Sequence, residues 1–296
     1  MKALVFGEVL WDVFPEYKVL GGASMNFCAH FSKLGADGYL ITAVGNDELG
    51  AEALESIKQL GLPDDYIAVN NEKETGYVHV TLDENHQPTY EIVEDVAYDN
   101  IKVSEADIKS INDRCFEVLY FGTLAQRNSV SADTLKEITD KCRFKEIFCD
   151  INIRQSFYSK ELIVQCFQKS TIIKINRDEC ELVKEMGIAN GNSIEEICAD
   201  LCEKFNLNVV IVTLDGDGAA AYSYSDKMLY SAERQPATPV SAVGAGDSFS
   251  GCFLYNYLSG VDLKACIERA NTLGAYVVSS PEAIPDYTDE LLAKIK

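Results

Sequence analysis

Histidine is scarce. The 296-residue chain has three, His30, His79 and His86, all in its first third. A histidine-centred triad or a multi-histidine metal site would have to be built from that region alone, so the base of any acid–base chemistry is expected to be a carboxylate. Basic clusters are lacking too. With 26 Lys and Arg against 47 Asp and Glu the formal charge is -21, and no basic run offsets it locally. Nucleic acid and anionic membrane surfaces would be repelled, so neither is an expected partner. No apolar run approaches the ~20 residues of a membrane span. The N-terminal stretch MKALVFGEVLWDVF carries Glu8 and Asp12 inside it, unlike a signal peptide, and a cytoplasmic location is expected. The ten cysteines are scattered singly, with no C-x-x-C pair and no histidine near the closest pair, Cys198 and Cys202, and read as reduced, buried apolar residues rather than zinc ligands. No glycine is followed by lysine, which excludes a Walker-type phosphate loop.

What is present is an α/β rhythm in a chain long enough to bury a full core. The first segment predicts a strand over Ala3 to Leu10, a turn at Gly21 and Gly22, a helix around Asn26 to Leu34 ended by Gly35, and a second strand YLITAVG. Between Thr75 and Val96 apolar and polar residues alternate around the turn signal DENHQP, which predicts a half-buried hairpin. Strands VLYFGTL, EIFCDIN, TIIKIN and NVVIVTL then alternate with amphipathic helices near 131–141, 160–169, 178–186 and 193–204. Strands AAAYSY and KMLYSAE follow, and two helices, about 247–259 and 262–279, close the chain. This pattern predicts a central, mostly parallel sheet with helices on both faces. No repeat or linker divides it, so residues 1–296 read as one domain, with a small β lid formed by about 10–22 and 68–100.

The stretch PVSAVGAGDSFSGCF (239–253) sets Gly244 and Gly246 around Ala245 and places Asp247 in the first turn of a helix. Helix N-termini present unpaired N–H groups and partial positive charge, and glycines let backbone approach an anion. The amides of Ala245, Gly246 and Asp247 could hold a phosphoryl group, with Asp247 accepting the proton of an attacking hydroxyl. Phosphoryl transfer asks mainly for positioning and charge stabilisation. Alone, the quartet fits an ordinary first-turn acid complementing the helix dipole better than a catalytic base. A dinucleotide fold fits less well, because GAGDSFSG lacks G-x-G-x-x-G and only helices and a short tail follow. Asp12, just past a strand, and Asn26, on a helix reached through the double glycine, lie where ligands of α/β sheets bind. Short polar side chains there can grip sugar hydroxyls.

Two stretches, GGASMNFCAHFSKLGADGYLITAVGNDELG (21–50) and SAVGAGDSFSGCF (241–253), with DINIR (150–154), KINRDE (174–179) and VTLDGDGA (212–219) between them, resemble the PfkB-type (ribokinase-like) carbohydrate kinases over nearly the whole chain. The resemblance implies a ribokinase-like three-layer sandwich and ATP-dependent phosphorylation of a sugar hydroxyl, with Mg2+ bridging the phosphates. It makes Asp247 the base and Gly244 to Gly246 the anion hole. Asp12, Gly21, Gly22 and Asn26 would bind the sugar, and Arg154 would reach the transferred phosphate or the sugar. Glu179 and Asn176 would order magnesium and its waters. Thr213, Gly216 and Gly218 would contact the phosphates or ribose, and Asn271 would lie beside the adenine. Ser241 and Ala242 replace the family's Asp-Thr, and Glu282 and Ala283 its late Gly-Ala, so activation by a monovalent cation is not carried over.

The glycine turn GGASMN lacks the lysine of ribokinases and many phosphosugar kinases, which favours an uncharged sugar. GEVLWDVFP, YFGTLAQR, DINIRQSFY and VAYDNI resemble the fructokinase branch, so D-fructose phosphorylated at its 6-hydroxyl is the first expectation. Another sugar or a nucleoside is the alternative within the family, and a non-catalytic sugar or nucleotide sensor the alternative outside catalysis. The resemblance also implies that the hairpin closes over the site and pairs between two copies of the chain.

Overall fold

In the computed structural model, residues 1–82 and 88–296 are described, and of residues 82, 88 and 89 only the backbone. The chain opens with β1 (Lys2–Phe6), β2 (Leu10–Val13), β3 (Lys18–Gly21), α1 (Ala23–Lys33), β4 (Asp37–Gly45), α2 (Glu48–Gln59) and β5 (Tyr66–Asn70). It continues through β6 (Gly76–Leu82), β7 (Pro88–Ile92), α3 (Glu105–Arg114), β8 (Val118–Phe121), α4 (Ser129–Lys141), β9 (Glu146–Asp150), α5 (Lys160–Lys169), β10 (Ile172–Asn176) and α6 (Arg177–Glu185). The last third holds α7 (Ile194–Phe205), β11 (Val209–Thr213), β12 (Ala219–Ser223), β13 (Met228–Ala232), α8 (Ala245–Leu258), α9 (Leu263–Val278) and α10 (Asp289–Ile295).

Nine strands form one sheet in the order β13-β12-β11-β10-β9-β8-β1-β4-β5. All pairs from β5 to β11 are parallel, and β12 and β13 add an antiparallel edge. Alternation in β1 explains the layers. Leu4 and Phe6 pack with residues of α3 to α7, whereas Ala3 and Val5 pack with α1, α2, α8, α9 and α10. The observed fold is therefore the expected three-layer α/β sandwich. No helix among the described residues is long and apolar enough to cross a membrane.

A second sheet of four strands, β3-β2-β6-β7, stands beside the first. It explains one departure from expectation. Ala3 to Leu10 is not a single strand: β1 ends at Phe6, and after Gly7-Glu8-Val9 the chain enters the small sheet as β2. Val9 and Leu10 are buried, so their apolarity signals burial rather than continuity of one strand. The hairpin between Thr75 and Val96 is β6 and β7, and most of its turn signal lies outside the described residues. Two helices do not close the chain either, because α10 follows and buries Leu291 and Ile295 against the α8–α9 layer. β5, α2 and α3 were not expected; α2 starts on an Asp47 cap and α3 on a Ser104–Asp107 capping box.

The chain runs from β1 to β4 and β5 in one direction, then returns to β8 and continues to β11 in the other. That reversal leaves a crevice at the C-terminal ends of β1 and β8, the usual ligand position in such sheets.

Candidate active site

The helix α8 begins at Ala245 with Gly244 as its cap, in a left-handed conformation at φ 79°. No side chain caps it. The Ala245 amide donates to Ala242 O at 3.3 Å, which corrects the expectation of three open amides. Those of Gly246 and Asp247 have no partner among the described residues, and Gly246 is exposed. The turn therefore offers two N–H groups and the helix dipole to solvent.

Asp247 is 7% exposed, and its Oδ2 accepts a 2.8 Å hydrogen bond from Asn26 Nδ2. Its Oδ1 makes no hydrogen bond to the described residues. Burial raises its pKa to about 7; Asn26, Arg154 and Lys174 pull it down and Asp150 pushes it up. A carboxylate tuned so close to neutrality can both accept and return a proton. Asn26 is itself held in the first turn of α1, with its Oδ1 buried and unpartnered.

Around α1 the sugar-binding candidates converge. A β-carbon on Gly21 would lie 3.1 Å from Asp12 Oδ2, and one on Gly22 would lie 2.5 Å from Glu8 O, so this turn closes only with glycine at 22. Glu8, which the sequence reading did not single out, accepts from Ala23 N at 2.9 Å and fastens the turn to the end of β1. Burial raises the pKa of both Glu8 and Asp12, and the nearby Arg154 opposes it. Arg154 is exposed and forms no ion pair or side-chain hydrogen bond among the described residues. Its charge reaches Glu8, Asp12 and Asp247. The residues flanking it are strained, Asn152 at φ 40° and Gln155 at φ 47°. Gln155 Nε2 donates to Tyr90 O at 2.7 Å, tying this loop to β7.

Asn176 and Glu179 form a reciprocal capping box on α6. Asn176 Oδ1 accepts from Glu179 N at 2.8 Å, and Glu179 Oε2 accepts from Asn176 N at 2.7 Å. Glu179 Oε1 accepts from Ile153 N at 2.7 Å, so a first-turn acid that could have been exposed is buried and joins α6 to the Arg154 loop. Burial and the neighbouring Asp150 raise its pKa. A groove of about 410 Å³ lined by Ile153, Asn176, Asp178, Glu179 and Glu181 opens here.

Thr213 ends β11 in register with Asn176. The segment after it is a 3-10 turn rather than a plain β-turn, with Gly216 exposed and nothing within 4 Å of a β-carbon built there. Gly218 is packed against Ala232 O. Asn271 is not merely solvated, because its Nδ2 donates to Glu233 O at 2.7 Å. Gly218 and Asn271 thus meet the same short segment after β13. Ser241 donates its amide to Val278 O, while Ala283 O accepts from His30 Nε2 at 2.9 Å.

Three further polar residues, absent from the sequence-based site, meet at the buried face of α8, and one of them, Ser250, is on the helix itself. Lys174 and Asp150 are partners across β10 and β9 and form a 2.8 Å ion pair, with side chains 7% and 1% exposed. Ser250 Oγ donates to Asp150 Oδ2 at 2.9 Å. The available signal was a lysine within the apolar strand TIIKIN, since a buried ammonium demands a counter-charge.

Comparison with known proteins follows the same outline. The pfkB family carbohydrate kinase profile matches residues 6–290. A fructokinase of Rhizobium leguminosarum bv. trifolii is 25% identical over 267 residues, covering 85% of this chain and 78% of its own. An uncharacterized sugar kinase from Pyrococcus horikoshii in complex with ATP superposes with a TM-score of 0.83 at 22% identity, over 100% of this chain and 99% of its own. A Vibrio cholerae fructokinase bound to fructose, ADP and calcium ion gives 0.82 at 19%, again over 100% and 99%.

Proposed function

Because the chain belongs to the pfkB family of carbohydrate kinases, we propose that it transfers the γ-phosphate of ATP to a primary hydroxyl of a neutral sugar, with D-fructose giving fructose 6-phosphate as the first candidate. The observation that carries this reading is the pairing of Asp247 with Asn26 beside the two open amides of α8. Asp247 Oδ1 takes the hydroxyl proton, the sugar oxygen bonds to the γ-phosphorus, and the bond from that phosphorus to ADP breaks. The amides of Gly246 and Asp247 hold the charge on the transferring oxygens. Asp12, Asn26 and the Gly21–Gly22 turn orient the sugar, and Arg154 approaches the phosphate from the mouth of the site.

Thr213 at the end of β11, Gly216 in the following turn and Asn271 midway along α9 would contact the nucleotide, and Gly218 shapes that loop. Both oxygens of Glu179 already accept backbone amides, a donor set that fits a magnesium ion keeping its waters and taking its direct ligands from phosphate. When bound, that ion would neutralise charge on the nucleotide phosphates.

Two observations support a neutral sugar over a phosphosugar. The turn at Gly21 and Gly22 carries no lysine, and the exposed cation Arg154 is already opposed by the nearby charges of Glu8 and Asp12. The small sheet is read as the lid that keeps water from the phosphate. Tyr17 and Tyr90, 58% and 45% exposed, are the surface by which two lids would pair.

ADP release measured with a panel of ketoses, aldoses and nucleosides tests the proposal. Turnover with fructose that EDTA abolishes is expected. Asp247→Asn should lower kcat by about 10²–10⁴-fold while ADP affinity stays near that of the parent. Saturable sugar binding without turnover on any member of the panel would replace the kinase with a sugar sensor.

A further inference from the structure

The strand β10 reads IIKIN, and its lysine faces the same side as Ile172, toward α8, while Ile173 and Ile175 face the opposite layer. Across the sheet, Asp150 shares that side with Phe148. The charged pair is therefore buried directly against the helix that starts with the open amides. Ser250 links it there, its single hydroxyl hydrogen shared between Asp150 Oδ2 at 2.9 Å and Gly246 O at 3.0 Å. The Lys174 ammonium lies 3.5 Å from where a β-carbon on Gly246 would stand. Among the described residues, Asp150 takes one of its three N–H donors and no other residue takes the remaining two.

Such a pair is a poor device for stability alone. Desolvating two charges costs about as much as their attraction returns, and apolar residues of equal volume serve as well. Asp150 Oδ1 is also buried without a partner, a cost that an arrangement selected only for packing would avoid. Burial works against the Lys174 charge, yet Asp150, Glu179 and Asp247 hold its pKa above the ordinary value, so it stays an ammonium. Carboxylates dominate the surroundings: Asp150 acts on Asp247, and Asp150, Glu179 and Asp247 act on Lys174. Among the described residues, Arg154 and Lys174 are the cations whose charge reaches Asp247.

We infer that Lys174 is a positioning residue of the phosphoryl site: its fixed positive charge, set beside the first turn of α8, supplements the amides of Gly246 and Asp247 in holding the transferring group. This rests on the kinase reading above. The Asp150–Ser250 relay fixes the ammonium relative to Gly246. The same charge favours the ionised form of Asp247, which otherwise faces Asp150 from β9, Arg154 from the following loop, Tyr120 from β8 and the neutral Asn26 from α1.

The test compares the parent with Lys174→Met and with Lys174→Met/Asp150→Asn, which removes both charges and leaves no unpaired ion if the single variant fails to fold. ADP with aluminium fluoride, in the presence of the sugar, probes the transferring group without turnover. The double variant should fold, bind ADP within twofold of the parent, and lose at least tenfold in affinity for the fluoride complex. Its kcat should fall about 100-fold with sugar KM within threefold, and in Lys174→Met the acid limb of the pH profile should move upward. A folded double variant that binds the fluoride complex and turns over like an active parent overturns the inference alone. A parent without turnover on any sugar overturns the kinase reading, and the inference with it.

Discussion

Asp247 and His30 show burial acting in opposite directions on two neighbouring functions. Burial, partly offset by Asn26, raises the Asp247 pKa to about 7. The base form dominates only above that value, so log(kcat/KM) should fall with unit slope below about pH 7. Asn26→Ala removes the hydrogen bond that favours ionised Asp247, and its acid limb should lie at higher pH than the parent's; an unmoved limb would separate Asn26 from the base. His30 is fully buried between Tyr287 OH and Ala283 O, and burial lowers its pKa from 6.5 to about 4. Between those values the unfolded chain binds a proton that the folded chain refuses, so stability is present above pH 6.5 and is lost as pH falls through 4. The loss is about 3 kcal/mol. Urea unfolding at several pH values should show this difference between the parent and His30→Gln, whose side chain does not titrate. Thus His30, buried among the described residues, supports the loop behind Gly244.

Among the elements, the start of α8 depends on Gly244. Its φ of 79° is unfavourable for other residues, and a β-carbon there would lie 2.7 Å from Ala283 O. Gly244→Ala should destabilise the protein by about 1–3 kcal/mol. It should also lower kcat more than tenfold, because tilting the first turn moves the amides of Gly246 and Asp247; urea melts and turnover measured together would check both. The strands differed in how much their sequence revealed. TIIKIN and NVVIVTL are apolar runs bounded by polar ends and emerge as β10 and β11. The break after Phe6 was not visible, because Gly7-Glu8-Val9 joins two apolar strands through a buried segment. Helix α10 escaped notice because seven residues carry too little periodicity to stand out, although its apolar face is buried.

At the scale of the molecule, side chains tie the small sheet to the large one. Gln155 joins the Arg154 loop to β7, and Arg127 pairs with Asp99 and donates to Val93 O where the small sheet returns to the large one. Sugar and nucleotide bound together should therefore protect the amides of β2, β3, β6 and β7 from hydrogen exchange more than either alone. Equal protection by nucleotide alone would remove the small sheet from sugar capture.

The sequence by itself determined the alternation of strands and helices and the carboxylate at a glycine-capped helix start. These are local properties, written in periodicity, capping and residue type. Only the tertiary structure decided that Asn26 meets Asp247, 221 positions away, that Glu179 is locked by amides, and that Lys174 and Asp150 face α8. Register between strands and the packing of one layer on another set these contacts, and pKa values follow from the resulting burial, which no linear pattern encodes.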